Sequence, residues 1–160
     1  MTKQTSVRIA LYQPEIPQNT GNIMRLCANT GAELDLIEPL AFQLNSKSMR
    51  RAGLDYIDMS RVHRHSDFNT FVDTISKLCP IIIVSTQAKQ YHTDITYPDH
   101  VCFLFGQESA GLPSEIHQHN TISSRIRIPM APSSRSLNIA NSAAVVCYEF
   151  LRQQDFKSLT

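Results

Sequence analysis

The stretch Ile126–Tyr148, I-R-I-P-M-A-P-S-S-R-S-L-N-I-A-N-S-A-A-V-V-C-Y, changes from a strand pattern to a helix pattern in its middle. Apolar residues alternate at its start, and Pro129 then ends the predicted strand because proline lacks a backbone N–H donor. From Leu137 onward apolar residues recur at helical spacing, and Ser134 or Ser136 is the predicted N-cap. The polar segment between strand and helix fits either a capped helix start or a ligand-binding loop.

The beginning of the chain has the same order of strand, loop and helix. Val7–Leu11 alternates as a short strand, and a helix is predicted to follow it with Asn19 or Thr20 as its N-cap. That helix is expected to run to about Thr30, where Gly31 provides a C-terminal stop. Strands and helices therefore follow one another from the start of the chain, as they do in an α/β fold.

Three polar residues lie at helical spacing in the first turns of this predicted helix. Asn19, Asn22 and Arg25 occur at every third position, so their side chains can gather near the end of the first strand. In an open parallel sheet, ligands bind at the carboxyl ends of the strands. These three side chains are therefore candidates for contact with a ligand.

The middle of the chain continues the α/β pattern and contains a loop rich in glycine. An amphipathic helix is predicted from Phe68 to Leu78. Short apolar runs predict further strands at Leu34–Ile37, Ile81–Val84 and Val101–Phe105. After the last of these, Gly106 allows a tight turn, and the loop that it opens can present backbone N–H groups to an adenine or a ribose. The chain contains neither G-x-G-x-x-G after its first strand nor G-x-x-x-x-G-K-[ST], which disfavours the usual dinucleotide and nucleoside-triphosphate sites.

Basic residues cluster in two short segments, although the formal net charge is only +1. Lys47–Gly53 reads as a short helical piece with three cations and a glycine stop, and Arg61–His65 adds positive charge after it. Such a segment is either a solvated helix face or a patch that contacts phosphates. The low net charge means that any binding of RNA must come from a local patch or from dimerisation.

The cysteine and histidine patterns argue against disulfides and metal. The four cysteines are far apart, none in C-x-x-C spacing, and each has apolar neighbours, which is typical of core thiols in a reduced intracellular protein. The paired histidines lack a clustered cysteine or carboxylate partner, so no metal is expected. No apolar signal region or membrane-spanning run is present in the sequence, and we expect a single domain over residues 1–160 in the cytoplasm.

Three ordered stretches resemble the three motifs of the SPOUT RNA methyltransferases. They are Asn19–Arg25, Phe105–Pro113, and Ile126–Met130 leading to Ser134–Asn138. Within them and beside them, P-E-I-P-Q-N-T-G-N, R-R-A-G-L-D-Y and S-R-S-L-N are similar to the minimal tRNA wobble-nucleotide 2'-O-methyltransferases of the TrmL type. The resemblance spans nearly the whole chain, without an appended RNA-binding domain.

The resemblance implies an α/β fold with a mostly parallel sheet flanked by helices and a deep trefoil knot near the C-terminus. It also implies a homodimer that holds S-adenosylmethionine within the knot. The sequence adds one observation of its own, since the last helix is apolar nearly all round and a helix of that kind is covered on more than one side. The residues concerned are Ala140, Ala143, Ala144, Val145, Val146, Cys147 and Phe150.

The resemblance also assigns roles to individual residues. Val84, Gly106, Ile128, Ser136 and Leu137 would line the cofactor pocket. Arg25 matches the arginine of the family's first motif, while Arg135 and Tyr148 match polar groups close to the site of methyl transfer. The residues expected to contact the RNA are Asn19, Asn22, Arg50, Arg51 and Asn138.

The activity implied is methyl transfer from S-adenosylmethionine to the ribose 2'-hydroxyl of the wobble pyrimidine in the tRNA anticodon stem-loop, with leucine tRNAs as the family's substrates. Two alternatives remain open at this point, ribosomal RNA as the substrate and a non-catalytic RNA-binding module with the same fold. A methyltransferase for a neutral small molecule is less favoured because the two basic segments would then have no role.

Overall fold

The computed structural model describes residues 4–51, 59–157 and 159–160, and within these it contains seven strands and five α-helices. The strands are β1 (Ser6–Tyr12), β2 (Glu33–Ile37), β3 (Val62–His65), β4 (Ile81–Val84), β5 (Gln90–Tyr91), β6 (His100–Phe105) and β7 (Ile122–Arg127). The helices are α1 (Pro17–Thr30), α2 (Ser46–Arg51), α3 (Phe68–Ile75), α4 (Ser114–His117) and α5 (Ile139–Gln153). Ala52–Tyr56, which carry most of the R-R-A-G-L-D-Y stretch and the expected glycine stop, lie outside the described residues.

All the paired strands run parallel in one sheet of order β3-β2-β1-β6-β4-β7-β5. Parallel strands covered on both faces need apolar residues at nearly every position, and β4 and β6 have them. The expected α/β fold with a mostly parallel sheet is therefore confirmed. Strand β6 lies between β1 and β4, so the carboxyl ends of strands that are far apart in sequence become neighbours.

The core consists of two clusters of buried apolar side chains. One cluster includes residues of α1 and α5 together with side chains of β1, β2 and β6. The other includes α3 and the alternate residues of the same strands. Burial of this kind contributes roughly 25 cal/mol for each Å² of apolar surface removed from water.

Two of the predicted helix caps are wrong, and both errors arise from long-range contacts. Helix α1 begins at Pro17 with Ile16 as its N-cap, so Asn19 and Thr20 lie inside the first turn and are buried. Proline suits the first helical position because its missing N–H would have no partner there. The predicted stop at Gly31 is confirmed, with a φ of 77°.

Helix α5 begins later than expected. Its N-cap is Asn138, whose side-chain oxygen accepts hydrogen bonds from the backbone N–H groups of Ala140 and Asn141, so the caps predicted at Ser134 and Ser136 are wrong. Strand β7 ends at Arg127, before Pro129, as the proline predicted. The predicted helix end at Leu78 is also wrong, since α3 ends at Ile75 and Leu78 is 58% exposed.

A buried ionic cluster joins the three strands at one side of the sheet. Asp35 on β2 is fully buried, and its carboxylate accepts two hydrogen bonds from the Arg8 guanidinium, at 2.8 and 3.1 Å. His65 on β3 lies 2.7 Å from the same carboxylate through its Nε2 atom. Burial alone would raise the pKa of Asp35, but the hydrogen bonds and charges of His65 and Arg8 outweigh burial and lower that pKa below its ordinary value of 3.8.

Candidate active site

A cleft of about 460 Å³ lies at the carboxyl ends of β4, β6 and β7, between the loops that follow these strands and the start of α1. Its volume is within the range of small-molecule sites, roughly 300–1,000 Å³. The part of the lining expected from the sequence consists of Asn19, Val84, Gly106, Ile128, Ser136, Leu137 and Asn138. The glycine-bearing loop after β6 and the serine-rich segment before α5 therefore face one common space.

Gly106 fits a position that leaves no room for a side chain. A Cβ atom placed there would lie 2.3 Å from the carbonyl carbon of Gly111 and 2.5 Å from the nitrogen of Leu112, both of them backbone atoms. The loop is closed by two backbone hydrogen bonds between Gln107 and Gly111, at 3.0 and 2.9 Å, and Gly111 has a φ of 67°. Two glycines are therefore needed for this tight wall of the cleft.

The same loop holds the start of α1 through a pair of carboxylates. Glu108 accepts hydrogen bonds from the backbone N–H groups of Glu15 and Ile16, at 2.9 and 3.2 Å, and from the side chain of Asn19 at 3.4 Å. In return Glu15 accepts hydrogen bonds from the backbone N–H and the hydroxyl of Ser109, at 2.9 and 2.7 Å. These bonds from Ser109 lower the pKa of Glu15 below its usual value. A carboxylate near the N-terminus of a helix is also stabilised by the helix dipole.

A hydrogen bond between two asparagines joins the third loop to this arrangement. The Nδ2 atom of Asn138 donates to the Oδ1 atom of Asn19 at 2.9 Å, while the Oδ1 atom of Asn138 caps α5. Asn19, buried in α1, thus links the capping residue of α5 to Glu108. The glycine loop, the start of α1 and the start of α5 are tied together by Glu108, Asn19 and Asn138, of which the two asparagines were expected to contact the RNA.

The other predicted residues lie outside the lining of the cleft. Arg25 and Asn22 are exposed on α1, and Arg135 is exposed in the loop next to Ser136. Tyr148 is 45% exposed on α5. Of the basic pair on α2, Arg50 is exposed, and Arg51 lines a separate cavity beside the start of α1.

Several lining residues were not foreseen from the sequence. Among them are Ser85, Thr86 and Gln87 directly after β4, Glu108 in the glycine loop, and His117 at the end of α4. Ser85, Thr86 and Gln87 could have been predicted to line a site, because they follow a buried strand and ligands bind at the carboxyl ends of parallel strands. Burial and the charge of Arg125 lower the pKa of His117, so its imidazole is neutral at neutral pH.

The cysteines are buried, and the described residues contain no cluster of metal-ligating side chains. No group of three or more His, Cys, Asp or Glu side chains suited to a metal ion occurs among the described residues. All four cysteines are buried and free, and burial raises the pKa of Cys27 to about 12 and that of Cys147 to about 11. Their thiolate forms are therefore negligible at neutral pH. In the same part of the chain, no helix is long and apolar enough to cross a membrane.

Residues 6–148 match the SpoU rRNA Methylase family. The chain belongs to this family. The match covers the three stretches on which the resemblance to SPOUT methyltransferases was based, and the family-level prediction is confirmed.

Relatives with similar sequences extend the comparison. A tRNA (cytidine(34)-2'-O)-methyltransferase of Methylovorus glucosotrophus is 45% identical over 148 residues, which cover 92% of this chain and 96% of the relative. A solved structure described as giving structural insights into the 2-OH methylation of C/U34 on tRNA is 35% identical and superposes with a TM-score of 0.86, covering 96% of this chain and 99% of that one.

A more distant SpoU methyltransferase supports the fold of the family member described here. The SpoU methyltransferase AviRb of Streptomyces viridochromogenes, solved in complex with the cofactor AdoMet, is 22% identical with a TM-score of 0.82. The superposition covers 97% of this chain and 63% of that one. The trefoil knot implied by the resemblance stays a prediction.

Proposed function

We propose that this SpoU-family protein transfers the methyl group of S-adenosylmethionine to the ribose 2'-hydroxyl of the pyrimidine at the wobble position of tRNA. The observation that carries the proposal is the meeting of the glycine loop, the serine-rich segment and the start of α1 around one cleft. The relatives that match this chain almost end to end are tRNA methyltransferases of this specificity. We also propose a cytoplasmic location, because the proposed substrate is a tRNA.

The residues of the cleft fit S-adenosylmethionine. Gly106 lets the backbone of Gly111 and Leu112 pack directly against it, and the tight loop that results forms a wall of the cleft against which a flat adenine would lie. Val84, Ile128 and Leu137 supply apolar surface for the same ring. When bound, the cofactor supplies a sulfonium methyl group as the electrophile.

The task of the protein is then to hold the ribose oxygen in line with that methyl group. Orientation of two bound reactants can contribute roughly 7–11 kcal/mol to a reaction barrier, whereas a general base typically contributes about 10²–10⁴-fold in rate. The hydrogen bonds between Glu108, Asn19 and Asn138 fix the relative positions of the loops that must bring the reactants together. Positioning is therefore expected to dominate over proton abstraction.

The direct test is methyl transfer from tritiated S-adenosylmethionine to tRNA that lacks the modification. Leucine tRNAs are the first substrates to try, and nuclease mapping of the labelled nucleotide locates the methyl group. Label at the wobble ribose supports the proposal. Label in ribosomal RNA and none in tRNA would show that ribosomal RNA is the substrate. RNA binding without any methyl transfer would show that the protein is a non-catalytic RNA-binding module.

Arg25 is proposed to approach the phosphate or the 2'-oxygen of the target nucleotide and to stabilise the developing negative charge, and Arg135 to hold RNA or the cofactor carboxylate. We expect Arg25→Ala to abolish detectable methylation and to leave cofactor affinity nearly unchanged, because the side chain lies outside the cleft. Turnover and calorimetric titration with S-adenosylhomocysteine measure the two effects. Undiminished turnover would remove Arg25 from the mechanism.

A homodimer is proposed from the surface of α5. One side of this helix packs in the core through Ala143, Val146 and Phe150, but Val145 and Tyr148 on another side are 38% and 45% exposed. A second copy that covers this side would explain why the helix is apolar nearly all round. Arg25, Arg135 and Tyr148 all lie at the surface of the single chain, where residues of a second copy or RNA could reach them.

Val145→Asp is expected to convert the dimer to a monomer, because it places a charge on an apolar surface that the second copy would bury. Size-exclusion chromatography with light scattering gives the mass in solution. Leu78→Asp is the matched control, since Leu78 is also an exposed apolar residue but lies after α3 on the other side of the sheet. A wild-type protein of monomer mass, or an unchanged mass for Val145→Asp, would contradict the proposed interface.

A further inference from the structure

A second cavity of about 410 Å³ opens beside the start of α1, on the side facing α2. Its lining combines one aromatic ring, three amide side chains and two cations. The lining residues are Pro17, Gln18, Phe42, Gln43, Asn45, Lys47, Ser48 and Arg51. Among the described residues the lining contains no acidic side chain, and Lys47 and Arg51 contribute positive charge to it. The activity proposed above gives this cavity no role.

The side chains of this cavity are those that recognise an unpaired nucleotide. Phe42 is half-buried and packs into neither core cluster, so its ring is available for stacking. A base stacked on an aromatic ring gains about 1–3 kcal/mol, whatever its identity. Amide groups such as those of Gln43 and Asn45 can donate to and accept from the edge of a base, and Lys47 and Arg51 can neutralise its phosphates.

The rim of the cavity is already ordered by hydrogen bonds. The Oδ1 atom of Asn45 accepts from the backbone N–H of Ser48 at 2.9 Å, and the Nδ2 atom of Asn45 donates to the Oε1 atom of Gln43 at 3.1 Å. The Ser48 hydroxyl donates to the carbonyl of Gln43 at 2.5 Å. Because these groups are held before any ligand arrives, less entropy is lost on binding.

The cavity and the cleft lie on different sides of the first turn of α1. Ile16 and Asn19 line the cleft, whereas Pro17 and Gln18 line the cavity. An α-helix with its side chains is about 10–12 Å across, so the two openings are close enough to bind nearby nucleotides of one strand. A loop of RNA that presents a ribose to the cleft would therefore place an adjacent base near Phe42.

We propose that this second cavity binds the base of an unpaired nucleotide next to the methylated one, with Phe42 stacking on the base and Lys47 and Arg51 contacting its phosphates. The proposal rests on the proposed function, because it takes the RNA substrate as the occupant. Inorganic phosphate would satisfy the cations but would leave the Phe42 ring and the amides without a role. An acidic peptide is a different occupant, and the experiment below distinguishes it.

The test compares Phe42→Ala with Phe42→Tyr in the full-length protein. We expect Phe42→Ala to raise the KM for tRNA about tenfold to hundredfold and to leave the affinity for S-adenosylhomocysteine unchanged. Phe42→Tyr keeps the ring and should restore the KM. Tyr91→Ala is the control for loss of an exposed aromatic residue, since Tyr91 lies on strand β5 and lines neither the cleft nor the cavity. An unchanged KM for Phe42→Ala, or equal loss for Phe42→Tyr, would overturn the proposal.

Binding of a fluorescent anticodon stem-loop separates this proposal from the proposed function. Lys47→Gln and Arg51→Gln should each reduce the slope of log affinity against log salt by about 0.7, whereas Phe42→Ala should weaken binding without changing the slope. If the wild type binds the stem-loop but transfers no methyl group, the proposed methyltransferase activity is wrong. Loss of binding in Phe42→Ala would then still support the proposal that the second cavity binds a base. If the wild type binds an acidic peptide at this cavity and not the stem-loop, the proposal is wrong.

Discussion

Replacing Gly106 with alanine is expected to lower kcat/KM for methyl transfer by about 10²-fold or more and to weaken the binding of S-adenosylmethionine. The new Cβ atom would lie 2.3 Å from a backbone atom of Gly111, a distance that no side-chain rotation can relieve. The loop from Gln107 to Gly111 must therefore shift, and displacement of reacting groups by about 1 Å can cost that factor in rate. Calorimetric titration with S-adenosylhomocysteine and tritium transfer to tRNA measure the two effects.

Gly31→Ala is the matched control for this substitution. Gly31 has a positive φ, of 77°, a Cβ atom there would meet nothing within 4 Å, and the residue ends α1 and does not line the cleft. Alanine at this position should reduce stability by about 1 kcal/mol and leave cofactor affinity unchanged. Wild-type affinity in Gly106→Ala would show that the cofactor does not depend on this loop.

Removing the carboxylate of Asp35 is expected to destabilise the protein by about 3–5 kcal/mol, because it leaves the Arg8 guanidinium in the protein interior without its partner. Asp35→Ala also removes the hydrogen-bond partner of the buried His65. Urea unfolding at a fixed protein concentration gives the free energy of unfolding. The fixed concentration matters because a dimer gains stability with concentration.

Glu33→Gln is the control on the same strand. Glu33 pairs with Arg61 and His63 at 3.1 and 2.8 Å, but its side chain is 28% exposed, and exposed ion pairs contribute only about 0–1 kcal/mol. If the two variants were equally stable, the buried cluster would have no special role.

The pH dependence of stability follows from the same cluster. The pKa of Asp35 is lower in the folded protein than its ordinary value of 3.8, so the folded state stabilises the charged form. The stabilisation is complete well above pH 3.8 and is lost as the pH falls through the lower pKa of the folded state. Asp35→Asn should therefore flatten the acid side of a plot of unfolding free energy against pH, which urea unfolding at several pH values measures.

The elements of the fold could be predicted from periodicity, but their ends could not. The apolar runs of β4 and β6 are readable from the sequence because a parallel sheet requires apolar residues on both faces. The start of α1 is not, because a carboxylate of Glu108, 93 residues away from Glu15, accepts the N–H groups of Glu15 and Ile16 directly before the helix. Asn138, which caps α5, likewise donates a hydrogen bond to a residue 119 positions away, Asn19.

The candidate site was predictable in part for a similar reason. Gly106, Ser136 and Leu137 lie in stretches whose composition marks them, and they do line the cleft. The insertion of β6 between β1 and β4 could not be read from local pattern, and it decides which loops become neighbours. In the sequence, Glu108 is therefore an ordinary polar loop residue. Only the strand order shows that it lies against the start of α1.

The attachment of Glu108 to α1 also has a consequence for how the chain folds as it leaves the ribosome. Glu15 and Ile16, directly before the first helix, emerge long before Glu108, which accepts their N–H groups, and strand β1 emerges long before β6. Strand β1 and the residues before α1 therefore lack these partners while the later half of the chain is synthesised. A pause in translation before codon 108 would lengthen the time during which nascent chains can be cleaved by proteases or bound by chaperones.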